Sequence, residues 1–314
     1  MLRATTAAEL VQLPMPLHLA LGVFDGVHLG HQSVIASSIE AARTNGGASV
    51  VVTFEPHPIR VLSPDRAPRQ LLASLDHKCR LLERMGVDAV LALHFDAALA
   101  TMSAEAFFAM LREAGNIASI AVGEDWRFGR GRAGDVAFLR RCGEAHGIAI
   151  HALPPIMHEG ERISSTRIRQ SIRDGALVNA AAMLGRPYGV EGVVAKGQQL
   201  GRTIGFPTAN LALHNEQLPP DGVWVVEVCS ESDRWHGVAN LGVRPTIGDS
   251  IRSLEVHLFD MSADLYGKIL EVEFLHHLRA EKKFEHLDAL RDQIGRDAAT
   301  ARDWLKWHRD RKTP

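Results

Sequence analysis

The stretch LHLALGVFDGVHLGHQSVIASSIEAARTNGG, residues 17–47, decides the fold of the first half of the chain. Its apolar start, LHLALGVF, predicts a β-strand, and SVIASSIEAAR predicts a helix that the following Asn-Gly-Gly would end. Between the two, a tight turn through Gly26 and Gly30 carries His28 and His31. A strand, a glycine-rich turn and a helix in this order are typical of a parallel α/β sheet.

The same alternation continues for the rest of the first half. The further strand candidates are ASVVVTF, DAVLALHF, IASIAVG and IAIHALPPI, and the helix candidates between them are LDHKCRLLERMG, SAEAFFAMLREAG and DVAFLRRCGEAHG. Apolar strands separated by helices predict a parallel sheet that is covered on both faces, which is a doubly wound, Rossmann-like α/β domain. Two further helical segments, ISSTRIRQSIRDG and ALVNAAAMLG, follow this domain's last strand.

The pattern changes after residue 184, where the segments become short and rich in β-formers. They are YGVEGVVAKG, FPTANLAL, GVWVVEVC, RWHGVANLG, SLEVHLFD and KILEVEFLHHL. Short strands with frequent turns are typical of an antiparallel barrel or sandwich, and we expect a barrel. From Glu281 onward the apolar residues recur at helical spacing, which predicts a terminal helix packed on the barrel. We therefore expect two domains, 1–184 and 185–314.

Composition narrows the class of protein further. The chain of 314 residues has a net charge of −2, so we expect no nucleic-acid partner. It has no apolar run of about eighteen residues, so we expect no membrane span. Cys79, Cys142 and Cys229 lie far apart without a CxxC pair, which excludes the usual zinc and disulfide patterns. Together with an amino terminus that lacks a signal-peptide pattern, this predicts a cytoplasmic protein.

A first candidate site lies where the parallel strands end. Four of these ends carry chemistry-bearing residues, in the strings FDGVHLGH, FEPHP, HFDAALA and GEDWRFGRGRAGD. In an open parallel sheet, ligands bind beyond the carboxyl ends of the strands. Glycine, histidine, carboxylate and arginine at that edge therefore predict a ligand site.

The residue types at this edge favour phosphate chemistry. Gly26 and Gly30 allow backbone to approach a phosphate, and the next helix offers its positive amino-terminal end. His28 and His31 can donate hydrogen bonds to charge that develops on a transferring phosphoryl group. The segment ISSTRIR, residues 163–169, adds hydroxyls that can cap a helix, and two arginines. The simpler alternatives are ordinary histidines and a plain helix cap with solvated arginines.

These two motifs together resemble the nucleotidylyltransferase superfamily. Its members carry H-x-G-H early and I-S-S-T-x-I-R late, and direct a nucleophile at the α-phosphate of a nucleoside triphosphate. Class I aminoacyl-tRNA synthetases share the histidine motif but have a lysine-rich K-M-S-K-S loop, which is absent here. A P-loop kinase is excluded because no GxxxxGK[ST] string occurs.

A second candidate site is the string GRTIGFPTANL, residues 201–211. Its glycines permit close backbone approach, and its proline stiffens the chain before the Thr-Ala-Asn sequence. The hydroxyl of Thr208 and the carbonyl oxygen of Asn210 are hard ligands suited to Mg²⁺ on a nucleotide. The alternative is a β-turn in which both side chains bond local backbone. The remaining residues predicted for this site are Gly201, Arg202, Gly205 and Pro207.

Glu255 lies in the alternating segment SLEVHLFD. The alternation predicts that Val256 and Leu258 share one face of a strand, with Glu255 and His257 on the other. A carboxylate there could orient or deprotonate a hydroxyl nucleophile, although a solvated strand glutamate is the simpler interpretation.

Taken in order, the strings resemble the bacterial bifunctional riboflavin kinase/FAD synthetase family over nearly the whole chain. The strings are GVFDGVHLGHQ, TFEPHP, GEDWRFGRGRAGD, ISSTRIR, LGRPY, GRTIGFPTANL, NLGVRPT and LEVHLFD. The resemblance implies an amino-terminal FMN adenylyltransferase domain and a carboxy-terminal riboflavin kinase barrel. It also implies ATP as co-substrate, riboflavin, FMN and FAD as substrates and products, and Mg²⁺ as cofactor.

The resemblance also implies roles for individual residues. His28 and His31 would contact the ATP phosphates and stabilise adenylyl transfer, and Glu255 would be the base of the kinase. The other ATP- and phosphate-binding residues of the first site would be Gly22, Phe24, Asp25, Gly26, Gly30, Ser165, Thr166 and Arg169. The flavin or adenylate pocket would include Asp125, Trp126, Arg127 and Phe128, where the family commonly has phenylalanine in place of the tryptophan. ATP and Mg²⁺ of the kinase would lie against Gly201, Arg202, Gly205, Pro207, Thr208 and Asn210, with Thr208 and Asn210 as metal ligands.

Three other functions fit parts of the pattern. A single-activity enzyme is disfavoured because both halves carry complete motifs. A flavin-sensing or flavin-carrying protein would need neither Glu255 nor the paired histidines. An unrelated nucleotidylyltransferase with an added β-module is disfavoured by the string GFPTANL. The oligomeric state does not follow from the sequence.

Overall fold

The computed structural model describes residues 1–68, 70–197, 200–213, 216–245, 250–261 and 264–312. Its contacts divide the chain into two compact units, Met1–Ser165 and Thr166–Pro314.

The first unit is built on a six-stranded sheet in the order β1-β4-β3-β2-β5-β6, with every neighbouring pair parallel. The strands are β1 (Leu2–Ala4), β2 (Leu17–Leu21), β3 (Ala48–Glu55), β4 (Ala89–His94), β5 (Ile117–Gly123) and β6 (Ala149–Leu153). The helices are α1 (Leu29–Asn45), α2 (Pro58–Leu62), α3 (Leu75–Arg84), α4 (Ala97–Thr101), α5 (Ala104–Arg112) and α6 (Val136–His146). Short 3₁₀ helices cover Ala7–Gln12, Pro64–Arg66 and Arg130–Arg132, and a small hairpin pairs β7 (Met157–His158) with β8 (Glu161–Arg162).

The core of this unit lies on both faces of the sheet. Val50, Val51 and Val52 on β3 are all fully buried, although successive side chains point to opposite faces. Val50 and Val52 belong to one apolar cluster, and Val51 belongs to another. A strand that is buried on both faces is the mark of a parallel sheet covered by two helical layers, so the doubly wound prediction is confirmed. The edge strand β1 was not predicted.

The second unit begins with α7 and α8 and continues as a closed antiparallel barrel in the order β10-β13-β12-β11-β14-β9. The helices are α7 (Ser165–Arg173), whose first residue belongs to the first unit, α8 (Leu177–Leu184), α9 (Leu200–Thr203) and α10 (Leu287–Lys312). The strands are β9 (Tyr188–Ala195), β10 (Ala209–Leu213), β11 (Gly222–Cys229), β12 (Arg234–Pro245), β13 (Ser250–Leu258) and β14 (Ile269–Arg279). The predicted barrel is therefore confirmed, and the sandwich alternative is excluded.

The terminal helix α10 packs on the outside of the barrel. Ala298 and Ala301 are buried in one cluster with Val223, Val225 and Val238 of the barrel strands. The helix begins at Leu287, so the predicted start at Glu281 is wrong. No helix within the described ranges is both long and apolar enough to cross a membrane.

The late start of α10 has a structural reason. β14 continues to Arg279, which lies opposite Val223, so the chain is still extended close to residue 281. Phe284 then lies outside the helix, with the Arg279 guanidinium 5.9 Å and the Lys282 ammonium 5.8 Å from its ring centre. These cation–π contacts hold the connection between β14 and α10.

Candidate active sites

The chain between β2 and α1 makes a compact turn at the carboxyl end of the sheet. Phe24 and Val27 have positive φ angles of 52° and 43°, and Gly26 has a φ of 79°. A Cβ atom at Gly26 would also come within 2.7 Å of the Leu72 side chain. Positive φ in residues other than glycine is strained and persists where the surrounding structure enforces it, often at functional sites.

The helix after the turn begins earlier than predicted. His28 is the N-cap of α1, and its Nδ1 accepts a hydrogen bond from the backbone N–H of His31 at 3.3 Å. Gly30 therefore lies inside the first helical turn with ordinary backbone angles, and the prediction that it forms part of the tight turn is wrong. Its lack of a side chain still matters, because a Cβ atom there would lie 3.3 Å from the His28 ring.

Several hydrogen bonds hold the turn. Asp25 is buried, and its Oδ1 accepts the backbone N–H groups of Leu72 and Ala73 at 2.9 and 3.3 Å. The backbone oxygen of Asp25 accepts the Ser165 hydroxyl at 3.0 Å. The turn is thus fixed from the segment before α3 and from the start of α7. Of the predicted residues, Gly22, Phe24, Asp25, Gly26, His28, Gly30, His31 and Ser165 come together here.

The two histidines stack face to face. Their ring centres lie 3.5 Å apart at an interplanar angle of 18°, and Phe24 meets His31 edge-on at 5.4 Å. Burial holds the pKa of His31 well below its usual 6.5, and the nearby charges of His28, Lys78 and Arg162 act in the same direction. Among the described residues, the buried Nδ1 of His31 has no hydrogen-bond partner. The pair lies at the amino-terminal end of α1, where the helix dipole favours an anion.

Thr166 and Arg169 lie further along α7, in the second unit. Thr166 is exposed and Arg169 is buried. Their placement against a phosphate stays a prediction.

The loop after β5 carries the four residues predicted for a flavin or adenylate pocket. The rings of Trp126 and Phe128 stack at 5.4 Å and 17°, with Phe128 buried in the apolar core and Trp126 partly buried against it. Asp125 forms a bidentate ion pair with Arg162 of β8, and this pair lowers the pKa of Asp125. The guanidinium of Arg127 lies 2.9 Å from Asp135, the N-cap of α6.

Two residues of this site were not predicted from the sequence. Lys78 on α3 is buried, and its ammonium donates to the Val23 carbonyl at 2.9 Å. Arg162 hydrogen-bonds Asp125, and its charge lies close enough to His31 to lower the pKa of that histidine. Lys78 stands in a charged helix and Arg162 in a polar hairpin, so neither carried a sequence signal that distinguished it from a surface residue.

The second candidate site lies on three adjacent strands of the barrel. Glu255 on β13 is directly opposite Asn210 on β10 and Asn240 on β12. Val256 and Leu258 are buried while Glu255 and His257 are half-buried, so the predicted alternation is confirmed. The carboxylate thus stands in one row between two amide side chains. Asn240 was not among the predicted residues.

The chain before β10 packs tightly around Thr208 and Asn210. A Cβ atom at Gly201 would meet the Phe206 carbonyl oxygen at 2.2 Å and the Thr208 hydroxyl at 3.3 Å. A Cβ atom at Gly197 would meet the Asn210 amide nitrogen at 2.3 Å. Glycine is therefore required on both sides of this pair. Gly205 has a φ of 85°, and the Arg202 side chain lies outside the described part of the structure.

A pocket of about 430 Å³ opens beside these residues. Pro207, Thr208 and Ala209 line it together with Val256 and Leu258 of β13. The rest of its lining is Val194, Met261, Asp264, Leu265 and Tyr266. A mostly apolar cavity with a few polar groups is typical of a site for a small molecule.

The metal-binding capacity of the described residues is limited. They contain no group of three or more histidine, cysteine, aspartate or glutamate side chains that could hold a metal ion. Thr208 and Asn210 offer two neutral oxygen atoms, which suits a Mg²⁺ ion that a nucleotide brings with its phosphates.

An α/β unit with stacked histidines at a helix amino terminus, followed by a closed barrel with Thr208 just before β10, agrees with the class predicted from the sequence, a nucleotidyltransferase joined to a kinase. The FAD synthetase family model matches residues 12–167, and the riboflavin kinase family model matches residues 184–305. The chain belongs to the bifunctional riboflavin kinase/FMN adenylyltransferase family. It is therefore an enzyme with both activities, as the sequence predicts.

Bifunctional riboflavin kinase/FMN adenylyltransferases from other bacteria match this chain over most of their own length. The bifunctional riboflavin kinase/FMN adenylyltransferase of Escherichia coli K12 is 41% identical, over 91% of this chain and 92% of that protein. The protein of the same name from Bacillus subtilis is 34% identical, over 90% of each. A crystal structure described as a macrolide-efflux protein from Streptococcus pneumoniae has a TM-score of 0.81 and 33% identity, and the match covers 96% of this chain and 99% of that chain. The efflux description applies to that protein alone.

Proposed function

We propose that each unit carries one of the two reactions on the residues described above. The first unit transfers an adenylyl group from ATP to FMN at the turn before α1. The support is the stacked pair of His28 and His31 at a helix amino terminus, with Ser165 bonded to the same turn. Hydrogen-bond donors fixed at this position stabilise the negative charge that develops on the α-phosphate.

The barrel carries the kinase reaction. Glu255 accepts the proton of the ribityl 5′-hydroxyl of riboflavin as its oxygen attacks the γ-phosphate of ATP, giving FMN and ADP. The observation that carries this assignment is the row in which Glu255 stands between Asn210 and Asn240. The apolar pocket beside Thr208 is of the size that a ring of the substrate or the nucleotide requires.

Mg²⁺ fits the kinase site as part of a Mg·ATP complex. The Thr208 hydroxyl and the Asn210 carbonyl oxygen would hold it, and the nucleotide phosphates and water would complete its coordination. The ion would neutralise phosphate charge during the transfer. Thr208 and Asn210 orient the phosphates. The close packing of Gly201 against Thr208 and of Gly197 against Asn210 holds these two side chains in position.

The two reactions run in sequence, with phosphorylation of riboflavin first and adenylylation of FMN second. The phosphate of FMN attacks the α-phosphate of a second ATP, and pyrophosphate leaves as FAD forms. The kinase product is thus the substrate of the first unit.

We also propose a cytoplasmic location, because Cys79, Cys142 and Cys229 are free thiols, which fits a reducing compartment.

A chromatographic time course with purified protein, riboflavin, ATP and Mg²⁺ tests the proposal. We expect FMN to appear first and FAD to follow, with ADP and pyrophosphate as the other products. Omission of Mg²⁺ should stop FMN formation. Tight flavin binding without conversion would contradict the proposal and favour a carrier, and FMN alone, with added FMN also left unconverted, would mean a single-activity enzyme.

A further inference from the structure

Lys78 is a buried cation beside the strained turn. Only 4% of the surface of Lys78 is exposed, and lysine is rarely buried to this extent unless it is paired. Its ammonium donates to the Val23 carbonyl at 2.9 Å and to the Thr53 hydroxyl at 3.2 Å. The Thr53 hydroxyl in turn donates to the same Val23 carbonyl at 2.9 Å. A lysine and a threonine from two different elements thus converge on one backbone oxygen.

That oxygen belongs to the residue at which the turn begins. Phe24, which follows Val23, has a φ of 52°, and Val27 at the other end has a φ of 43°. Gln32 fixes the far end by donating from Nε2 to the Val27 carbonyl at 2.9 Å. Strained backbone of this kind keeps its conformation only while such contacts enforce it. The position of Val23 therefore sets the path of the chain into His28.

The charges around Lys78 link it to the histidine pair. Asp25 of the turn and Glu55 of β3 face its ammonium and favour the charged form, while burial lowers the pKa of Lys78 from its usual 10.5. The positive charge in turn helps to lower the pKa of His31, together with His28 and Arg162. A lysine that only filled space in the core would have neither the shared carbonyl nor this electrostatic link.

We infer that Lys78 is a positioning residue for adenylyl transfer, which fixes the turn through Val23 and so places His28 and His31 against the ATP phosphates. This inference rests on the proposed role of the histidine pair. It extends the adenylyltransferase site to α3, an element that contributes none of the predicted residues.

The test compares Lys78→Met with Lys78→Arg. Methionine keeps an unbranched stem without the ammonium, and we expect the kcat for converting FMN to FAD to fall about 100-fold, because small misplacement of reacting groups costs that much. The KM for FMN should change little. Arginine keeps the charge and should restore part of the rate. Riboflavin phosphorylation by the same molecules, which takes place in the second unit, serves as an internal measure of enzyme concentration and should be unchanged.

Two further variants keep the result interpretable. Thr53→Val removes the bridging hydroxyl but leaves the lysine in place, and should lower the adenylylation rate about 5-fold, the worth of one hydrogen bond. Glu83→Gln lies on the same helix, where its carboxylate bonds the chain's amino terminus, and should change neither activity.

A spectroscopic measurement separates positioning from a merely structural role. In an NMR titration, the pKa of the His31 imidazole should rise in Lys78→Met towards its ordinary value, because one neighbouring cation is gone. Wild-type FMN conversion by Lys78→Met, or an unchanged His31 titration, would overturn the inference. His31→Ala serves as the reference: if that variant still converts FMN at the normal rate, the proposed site itself is wrong, and not only the role of Lys78.

Discussion

The ring of His31 lies 3.5 Å from that of His28, and this contact limits the charge that the pair can carry. Two protonated imidazoles at that distance repel each other, and burial penalises the charge further. Because its pKa lies well below 6.5, His31 is neutral near pH 7, and it offers a hydrogen bond to phosphate without titrating during the reaction. This neutrality has a consequence for stability that can be measured.

We expect acid to weaken the first unit through His31. The folded pKa of His31 lies below its unfolded value of 6.5, so the unfolded state binds more protons between these two values. The stabilisation is complete above pH 6.5 and is lost as the pH falls towards the folded pKa. Urea unfolding at pH 7.5, 6.5 and 5.5 should show this, with a slope from His31 of at most about 1.4 kcal/mol per pH unit.

His31→Gln provides the comparison, since it removes the titrating group while the other histidines remain. The difference in unfolding free energy between wild type and variant should shrink as the pH falls. A difference that does not depend on pH would contradict the assigned pKa shift.

The three cysteines should be unreactive in the folded enzyme. Burial raises the pKa of the Cys79 and Cys142 thiols, and it raises the pKa of Cys229 to about 11. Because the thiolate is the reactive form, we expect iodoacetamide at pH 7.5 to leave both activities intact. Mass spectrometry should find all three alkylated only after unfolding. Rapid modification of the native protein would refute the expectation.

Single residues show where prediction from sequence stops. His28, His31 and Glu255 were identifiable because their residue types stood in recognisable strings. Lys78 and Arg162 were not, because their roles come from contacts with chain far away in sequence, such as Val23 and Asp125. Such long-range partners leave no local pattern.

At the scale of elements, periodicity predicted each barrel strand and most helices. β1 was missed because three residues are too few to show a period. α1 was predicted to start too late, because a histidine N-cap is not among the usual capping residues. α10 was predicted to start too early, because Phe284 continues the apolar spacing although it packs against Arg279 in an extended connection. Only for α10 did a tertiary contact override the local pattern.

One contact of α10 bears on the kinase pocket. Arg302 makes a bidentate ion pair with Asp260 at 2.8 and 2.9 Å, and its guanidinium lies 4.2 Å from the centre of the Phe259 ring. Asp260 has a φ of 55° and begins the segment that supplies Met261 and Tyr266 to the pocket. The helix thus holds one wall of the pocket from outside the barrel.

We expect Arg302→Gln to lower the kcat/KM of riboflavin phosphorylation about 3- to 5-fold, mainly through KM. The effect is modest because both partners are largely exposed, where ion pairs are weak. FMN adenylylation should be unchanged. Steady-state kinetics of both reactions measure this.

Arg296→Gln is the matched control for that experiment. Arg296 lies on the same helix but bonds Gln293 within it, at 3.0 Å. It should behave as wild type. Equal losses in the two variants would mean that charge on α10, and not the contact with Asp260, is responsible.

At the scale of the whole molecule, most residues predicted for the first site lie in the first unit, whereas Thr166 and Arg169 lie in the second unit with the residues predicted for the second site. The change from alternating α/β to short β segments revealed the two architectures in the sequence. The boundary after residue 184 stays a prediction: contacts divide the chain between Ser165 and Thr166, and the family models match 12–167 and 184–305. The predicted boundary places α7 and α8 in the first domain, whereas the contacts place them, from Thr166 onward, in the second unit.

The central claim is that one chain holds two separate active sites, and two variants test it most directly. Glu255→Gln should make no FMN from riboflavin but convert added FMN to FAD, whereas His31→Ala should accumulate FMN with little FAD. Glu227→Gln and His146→Ala, which lie outside both sites, serve as controls and should retain both activities.

The decisive measurement is a chromatographic assay of riboflavin, ATP and Mg²⁺ with each variant alone and with the two mixed. We predict that neither variant alone makes substantial FAD from riboflavin, and that the mixture does, because FMN made by one is adenylylated by the other. Loss of both activities in either single variant, or FAD formation from riboflavin by Glu255→Gln alone, would contradict the account.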